Sequence, residues 1–432
     1  MFGPFDRYTT SIMAQQGLFA GLDIGSSSIR MVVGQSVSRE RGVRDLTILG
    51  AVEVPSQGIS KGSVNGIDDA VASVSKCLEH AERMTGQPIS SAWVGIGGTH
   101  IMAQESKGVV GVARSDGEIR EDDVDRAIDA AKTVATPTNH EILHVIPKSF
   151  TVDGQRGVKD PVGMTGIRLE VDTLIVQGLT SQIKNVTKSV YRTGLDIDDL
   201  VFSILATGEV VLSPKQKELG SVVINIGAQT TSVIVYEEGD VLHVAVLPIG
   251  AEYITNDIAI ALRTSIDVAE RMKLRRGTAS ISRVEKGLKV SVAEFGGIGE
   301  ESCTHTFLTN VIRARCEEIF ELVDRELSKI DRSGLLPGGA FLTGGGSRLS
   351  GIGEVAKEVL RLPVTPGTPL GISAAVEQVN DVAFSTAIGL VKWAQEMQAQ
   401  SGAHALSKML GKIGGSHGVG SVVKGWLKEL MP

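Results

Sequence analysis

The sequence predicts an α/β protein built from two related lobes, and three observations carry that reading. A hairpin signature occurs twice about two hundred residues apart, apolar strand runs alternate with helical periodicity, and 51 glycines among 432 residues supply the turns between them. At 42% hydrophobic and 22% charged, the chain can bury a large core, and its length calls for more than one subdomain. Aromatic residues make up only 4%, which argues against a carbohydrate-binding aromatic platform. The net charge of −7 provides no global basic surface, so no nucleic-acid partner is expected. Cys77, Cys303 and Cys316 are far apart, without a C-x-x-C pair. That excludes a disulfide scaffold or cysteine-rich zinc site and fits a reducing, cytoplasmic setting. No stretch reaches the roughly 18 apolar residues of a spanning helix. Residues 1–17 lack a signal peptide's basic start and apolar run, and they read as a mobile tail with Met13 as an alternative start.

The first hairpin is Leu18-Phe19-Ala20-Gly21-Leu22-Asp23-Ile24-Gly25-Ser26-Ser27-Ser28-Ile29-Arg30, continuing through Val33. The second is Ser221 to Tyr236, and laid over the first without a gap it places Asn225 on Asp23, Gly227 on Gly25 and Thr230 on Ser28. Helical spacing or capping predicts helices over 67–84, 121–133, 182–193, 252–263, 306–330 and 351–361. Strands are predicted over 46–54, 91–97, 142–146, 173–179, 241–248 and 339–343. Segment 398–421, rich in Gly, Ser, Ala and His, reads as a flexible linker.

A turn of glycine and small hydroxyl residues leaves backbone N–H groups free to face an anion, as phosphate nests do. Asp23 ends the first strand, where a carboxylate can hold Mg²⁺ through water. Arg30 leaves the turn within reach of a phosphate oxygen. A third element, Leu342-Thr343-Gly344-Gly345-Gly346-Ser347-Arg348-Leu349, runs a short strand into three glycines, whose missing side chains let backbone lie flat against a base and ribose.

Together these motifs resemble the actin-like ATPase superfamily, and within it the FtsA family of bacterial cell-division proteins. The resemblance covers roughly residues 18–396 and the C-terminal tail. It is carried further by His144-Val145-Ile146-Pro147, Asp160-Pro161-Val162-Gly163-Met164-Thr165-Gly166, Ile254-Thr255-Asn256-Asp257 and Thr386-Ala387-Ile388-Gly389-Leu390. It implies an actin-like two-lobed fold of duplicated ribonuclease-H-like domains with an FtsA-type inserted subdomain. The implied division is a first lobe of 18–98, 178–205 and about 368–396, an insert at 99–177, a second lobe of 206–249 and 331–367, an upper subdomain at 250–330, and a linker at 397–418. It implies ATP or ADP as cofactor, with Mg²⁺ on Asp23. Asp23, Gly25, Ser26, Ser27, Ser28 and Arg30 would form the first phosphate loop, and Asn225, Gly227, Ala228, Gln229, Thr230 and Thr231 the second. Gly344, Gly345, Gly346, Ser347 and Arg348 would pack on adenosine, and Glu270 with Lys273 would contact ribose and base.

The superfamily usually has Asp at the second hairpin where this chain has Asn225, and Ser203 stands where chaperone-type ATPases carry an acid. At most slow ATP hydrolysis is therefore expected, with Glu209 the nearest candidate to orient a water. The resemblance further implies binding of the C-terminal peptide of the filament protein FtsZ through Arg315 and Glu318, self-association into an actin-like polymer, and recruitment of later division proteins. A sugar or acetate kinase and a pilus-assembly adaptor of the same superfamily are the alternatives.

Two motifs lie outside the cleft reading. His140-Glu141-Ile142-Leu143-His144 spells the zinc-protease signature, but flanking Pro137 and Pro147 and the run Ile142–Ile146 predict a strand. In a strand the two histidines stand about 13 Å apart at roughly 3.3 Å per residue, too far for one zinc. In the tail, Val419, Val422, Val423, Trp426, Leu427, Leu430 and Met431 fall on one helical stripe, with Lys424 and Lys428 off it. This amphipathic helix at 419–432 reads as an in-plane anchor on an anionic membrane surface.

Overall fold

The computed structural model describes residues 17–38, 44–135, 137–285, 287–297, 301–374 and 377–410. Both hairpins form where the apolar runs place them. Leu18–Ile24 pairs antiparallel with Ser28–Ser38, and Ser221–Ile226 pairs with Thr231–Glu237. Each turn is closed by the same bond: Gly25 N–H donates to Ser28 O at 3.1 Å, and Gly227 N–H to Thr230 O at 2.9 Å. The duplication extends to topology. In each lobe a third antiparallel strand flanks the hairpin, Arg44–Pro55 in one and Asp240–Leu247 in the other. Two parallel strands follow on the other side, Ser91–Ile96 and Asp196–Phe202 in the first lobe, Gly339–Thr343 and Val364–Pro366 in the second. Parallel strands need both faces covered, and Val94, Ile96, Leu342 and Phe341 are accordingly buried.

Between the lobes, helices Ser203–Val211 and Ser385–Leu410 cross. Gly389 permits that crossing, because a Cβ there would strike Ala206 O. The insert is a four-stranded sheet of Ile101–Gly111, Arg168–Leu179, His140–Val152 and Gln155–Val158. Helix Glu121–Ala135 lies on it through Val124, Ala127, Ile128 and Ala131, against Phe150, Leu169, Val171 and Ile175. An actin-like lobe pair with this inserted sheet is the fold the sequence predicts.

The six expected helices form within a few residues of their expected bounds, as do the expected strands, although His140–Val152 is much longer than the 142–146 core. Helix Ser203–Val211 escapes periodicity because nearly every residue in it is buried, leaving no polar face to mark it. The expected linker also needs correction. The last helix runs to Leu410 and so reaches well into 397–418, because Gln, Ala, Met, Leu and Lys here are strong helix formers and the lone Gly402 does not stop them. The anchor stripe 419–432 and residues 1–16 lie outside the described residues.

The H-E-x-x-H run lies in a strand. His144 is buried, accepts the Phe202 N–H on Nε2 at 2.9 Å, and stands edge-on to Trp393 with ring centroids 6.0 Å apart. Burial pushes its pKa down to about 4. The folded ring stays neutral while the unfolded one protonates near 6.5, so stability is lost as pH falls from about 6.5 towards 4. At 1.36 kcal/mol per unit this amounts to about 3 kcal/mol. Thermal unfolding between pH 7 and pH 4 should show that loss. His144→Gln, whose amide oxygen keeps the acceptor, should remove that share, while His100, which burial also pushes down to about 4, adds a loss of its own over the same pH range.

Candidate nucleotide-binding site

The lobes enclose a cleft of about 600 Å³, continuous at Ser26–Ser28 and Gly345 with a deeper chamber of about 110 Å³. The deep chamber is where the two turns converge: Asp23, Gly25, Ser26, Ser27 and Ser28 from the first lobe meet Asn225, Gly227, Ala228, Gln229 and Thr230 from the second. Gly344 and Gly345 border it. Thr231 and Ser347 are not on its walls. Thr231 Oγ1 donates to Ile249 O at 2.8 Å, and Ser347 Oγ to Gly344 O at 2.7 Å, so both hydroxyls hold turns in shape.

Asp23 lines the chamber and is only partly exposed to it, and desolvation there pushes its carboxyl above the usual range, with the Arg30 charge partly opposing. Arg30 donates to Glu53 Oε1 at 2.6 Å and lies over the Phe384 ring, yet its Nε is buried without a hydrogen-bond partner. A buried, unanswered guanidinium N–H beside two small-residue turns suits an anionic ligand. Asn225 donates through Nδ2 to Thr386 Oγ1 at 3.0 Å, and Thr386 in turn meets Thr207 Oγ1 at 2.9 Å. The amide thus sits in a neutral hydroxyl chain that reaches the lobe-crossing helices, which accounts for how this chain accommodates an uncharged residue there.

The three glycines are not equivalent. Gly344 has φ +83°, and a Cβ on it would strike Asn225 Oδ1. On Gly346 a Cβ would press on Ile226 and Ala251, whereas on Gly345 it would meet only an Arg30 nitrogen, at 3.8 Å. Gly345 therefore presents a bare backbone face to the cleft. Arg348 borders the cleft and is held by Asp381, with Nε 2.9 Å from Oδ1. Glu270 and Lys273 also line it, 2.7 Å apart on helix Ile266–Arg276. Lys273 is itself buried and donates to Thr255 Oγ1 at 2.7 Å, while that hydroxyl donates to Glu270. The lysine positions the glutamate more than it faces the cleft.

The chain matches the family model described as cell division protein FtsA over residues 222–389, and that of the SHS2 domain inserted in FtsA over residues 98–177. It is 37% identical to the cell division protein FtsA of Bacillus subtilis, over 88% of this chain and 84% of that one. With the Pseudomonas aeruginosa protein the identity is 35% over 88% and 90%, and with that of Escherichia coli K12 it is 32% over 96% of each. The chain belongs to the FtsA family of cell-division proteins. Among solved structures it is similar to the PilM-PilN type IV pilus biogenesis complex, with TM-score 0.63 and 17% identity over 86% of this chain and 97% of that one. It is also similar to MreB 5 of Spiroplasma citri bound to AMPPNP, with TM-score 0.52 and 12% identity over 90% and 99%. At these identities the likeness shows the fold alone.

Two expectations about site residues change in the structure. Glu209 is not at the cleft. Its carboxylate pairs with Lys217 at 2.5 Å and accepts from Tyr236 at 3.4 Å, so it cannot orient a water beside the phosphate turns. Arg315, on helix His305–Lys329, does not offer a free fork. Its Nε and Nη2 grip both oxygens of Asp257 at 2.6 and 2.8 Å, and Nη1 pairs with Glu318. Ion pairing between two helices consumed the guanidinium, which sequence spacing could not reveal. Glu53 and the Ser60–Gly62 turn carry no sequence motif and enter the site only through pairing across the sheet and cleft.

Proposed function

We propose that this chain binds ATP or ADP between its lobes, with Asp23 holding Mg²⁺ through water, and acts as an adaptor that ties FtsZ filaments to the cytoplasmic face of the membrane at the division site. The observation that carries the reading is the convergence of two matched phosphate turns and the bare face of Gly345 on one cleft. Bound nucleotide would supply phosphate charge between the turns and a planar base against Gly345. Turnover would be slow, because Asn225 contributes no negative charge to a metal and Glu209 is held by Lys217 and Tyr236 away from the phosphate turns. The nucleotide then serves as a switch or structural cofactor, the chain self-associates into an actin-like polymer, and it recruits later division proteins.

Family membership weighs against the kinase and pilus-adaptor alternatives. Among the described residues no helix is long and apolar enough to cross a membrane, and attachment is assigned to the stripe Val419, Val422, Val423, Trp426, Leu427, Leu430 and Met431.

For the FtsZ peptide, Arg315 remains the proposed contact, and Glu318 changes from a contact to the group that a peptide carboxylate displaces. An incoming peptide carboxylate meets Arg315 by displacing Glu318, which is half exposed, rather than Asp257, which is held by two bonds. In fluorescence anisotropy with a labelled FtsZ C-terminal peptide, Arg315→Glu should weaken binding at least tenfold, about 1.4 kcal/mol. Glu318→Ala should strengthen it by removing the competitor. Wild-type affinity in Arg315→Glu would move the peptide site elsewhere.

A further inference from the structure

One contact at the cleft joins the lobes to each other. The short strands Ile59–Ser60 and Ser63–Val64 are linked by a turn whose central residues, Lys61 and Gly62, both have positive φ, 51° and 78°. That is the backbone of a tight hairpin turn matched to strand twist. The turn is fixed to the first lobe. Thr99 N–H donates to Lys61 O at 3.2 Å, Gly62 N–H reaches Ser26 Oγ at 3.4 Å, and a Cβ on Gly62 would collide with Gly97 and Gly98.

From the second lobe, Gln229 reaches this turn. Its Oε1 accepts from Ser60 Oγ at 2.9 Å and from Lys61 N–H at 2.8 Å. A backbone N–H can only donate, so the atom facing it must be the amide oxygen. The rest of that phosphate turn is Gly227, Ala228 and Thr230, and Gln229 alone among them has a side chain long enough to span to the other lobe. Both bonds tie the lobes together at the chamber where the two phosphate turns meet.

We propose that Gln229 is a positioning residue that latches the phosphate end of the cleft, so that nucleotide enters and leaves only when these bonds open. The inference rests on the nucleotide-binding reading and adds a gate to it. A residue that touches phosphate slows dissociation alone. A latch formed without help from the ligand slows entry and exit together, leaving the equilibrium constant nearly unchanged.

The test is stopped-flow binding of fluorescently labelled ADP to the full chain. Gln229→Ala removes two hydrogen bonds and should raise both association and dissociation rates by about five- to a hundredfold. Ser60→Ala, at a residue outside the phosphate turns, removes one of the two bonds and should raise both rates by a smaller factor while moving the dissociation constant by less than about threefold, the mark of a gate. In the Gln229→Ala background it should add nothing, since the pair acts as one unit across the cleft. Faster dissociation with unchanged association would make Gln229 a phosphate contact and overturn the latch. So would unchanged rates, or two substitutions whose factors multiply. A wild-type chain that binds no ADP overturns the nucleotide reading and the latch with it, an outcome distinct from binding with variant rates equal to wild type.

Discussion

Replacing Gly345 by glutamate is expected to abolish nucleotide binding, lowering affinity for ATP and ADP at least a hundredfold in calorimetric titration. A hundredfold loss is about 2.7 kcal/mol. The new side chain fills the volume assigned to the base and adds a negative charge to a cleft proposed to hold phosphates. The position makes this a clean test. A Cβ on Gly345 has only an Arg30 nitrogen near it, at 3.8 Å, so the variant should fold and melt close to wild type. The same change at Gly344 would strike Asn225 and at Gly346 Ile226, and either variant would confuse misfolding with lost binding. Unchanged affinity in Gly345→Glu would remove the glycine turn from the site.

Trp426→Glu should release the full-length protein from anionic liposomes in co-sedimentation, while nucleotide and FtsZ-peptide binding stay at wild-type levels. Trp426 lies mid-stripe among seven apolar residues, each worth roughly 1.5–3 kcal/mol if fully buried. Partial immersion and the ordering of a free helix take back much of that, so one tail binds weakly. Lys424 and Lys428 add about 1 kcal/mol each on anionic lipid. A glutamate in the middle of the stripe carries charge into the acyl boundary and cancels a margin this small. Stable attachment is then expected to need several tails on one polymer, where effective concentration multiplies weak contacts. If Trp426→Glu sediments as wild type does, the tail packs elsewhere and is not the anchor.

The parts of this protein legible in its sequence are those set by neighbours along the chain. Both hairpins could be read because alternating strand runs and a glycine-bearing turn are local chemistry, and repetition at Asp23 and Asn225 tied them together. The strand character of the H-E-x-x-H run followed from its flanking prolines in the same way. Patterning failed where burial is complete. Helix Ser203–Val211 shows no polar face because it is almost wholly buried, and residues 397–410 read as linker because Gly and Ser suggest slack although the Gln, Ala, Met, Leu and Lys among them favour helix.

What tertiary structure alone decided is the allocation of charged and polar groups among partners. Sequence could name Glu209, Arg315, Lys273 and Gln229 as chemically able, but each can satisfy its hydrogen bonds in several ways. Folding gave Glu209 to Lys217, Arg315 to Asp257, and Lys273 to Glu270 and Thr255, and took Gln229 across the cleft to Ser60 and Lys61. Several of these pairs are far apart in the chain; Gln229 and Ser60 are separated by 169 positions. A long polar side chain takes whichever partner packing brings within about 3 Å, because leaving a buried group unpaired costs roughly 1–3 kcal/mol. Local sequence settles which groups are present at the cleft, and the packing of two lobes settles which of them remain available to a ligand.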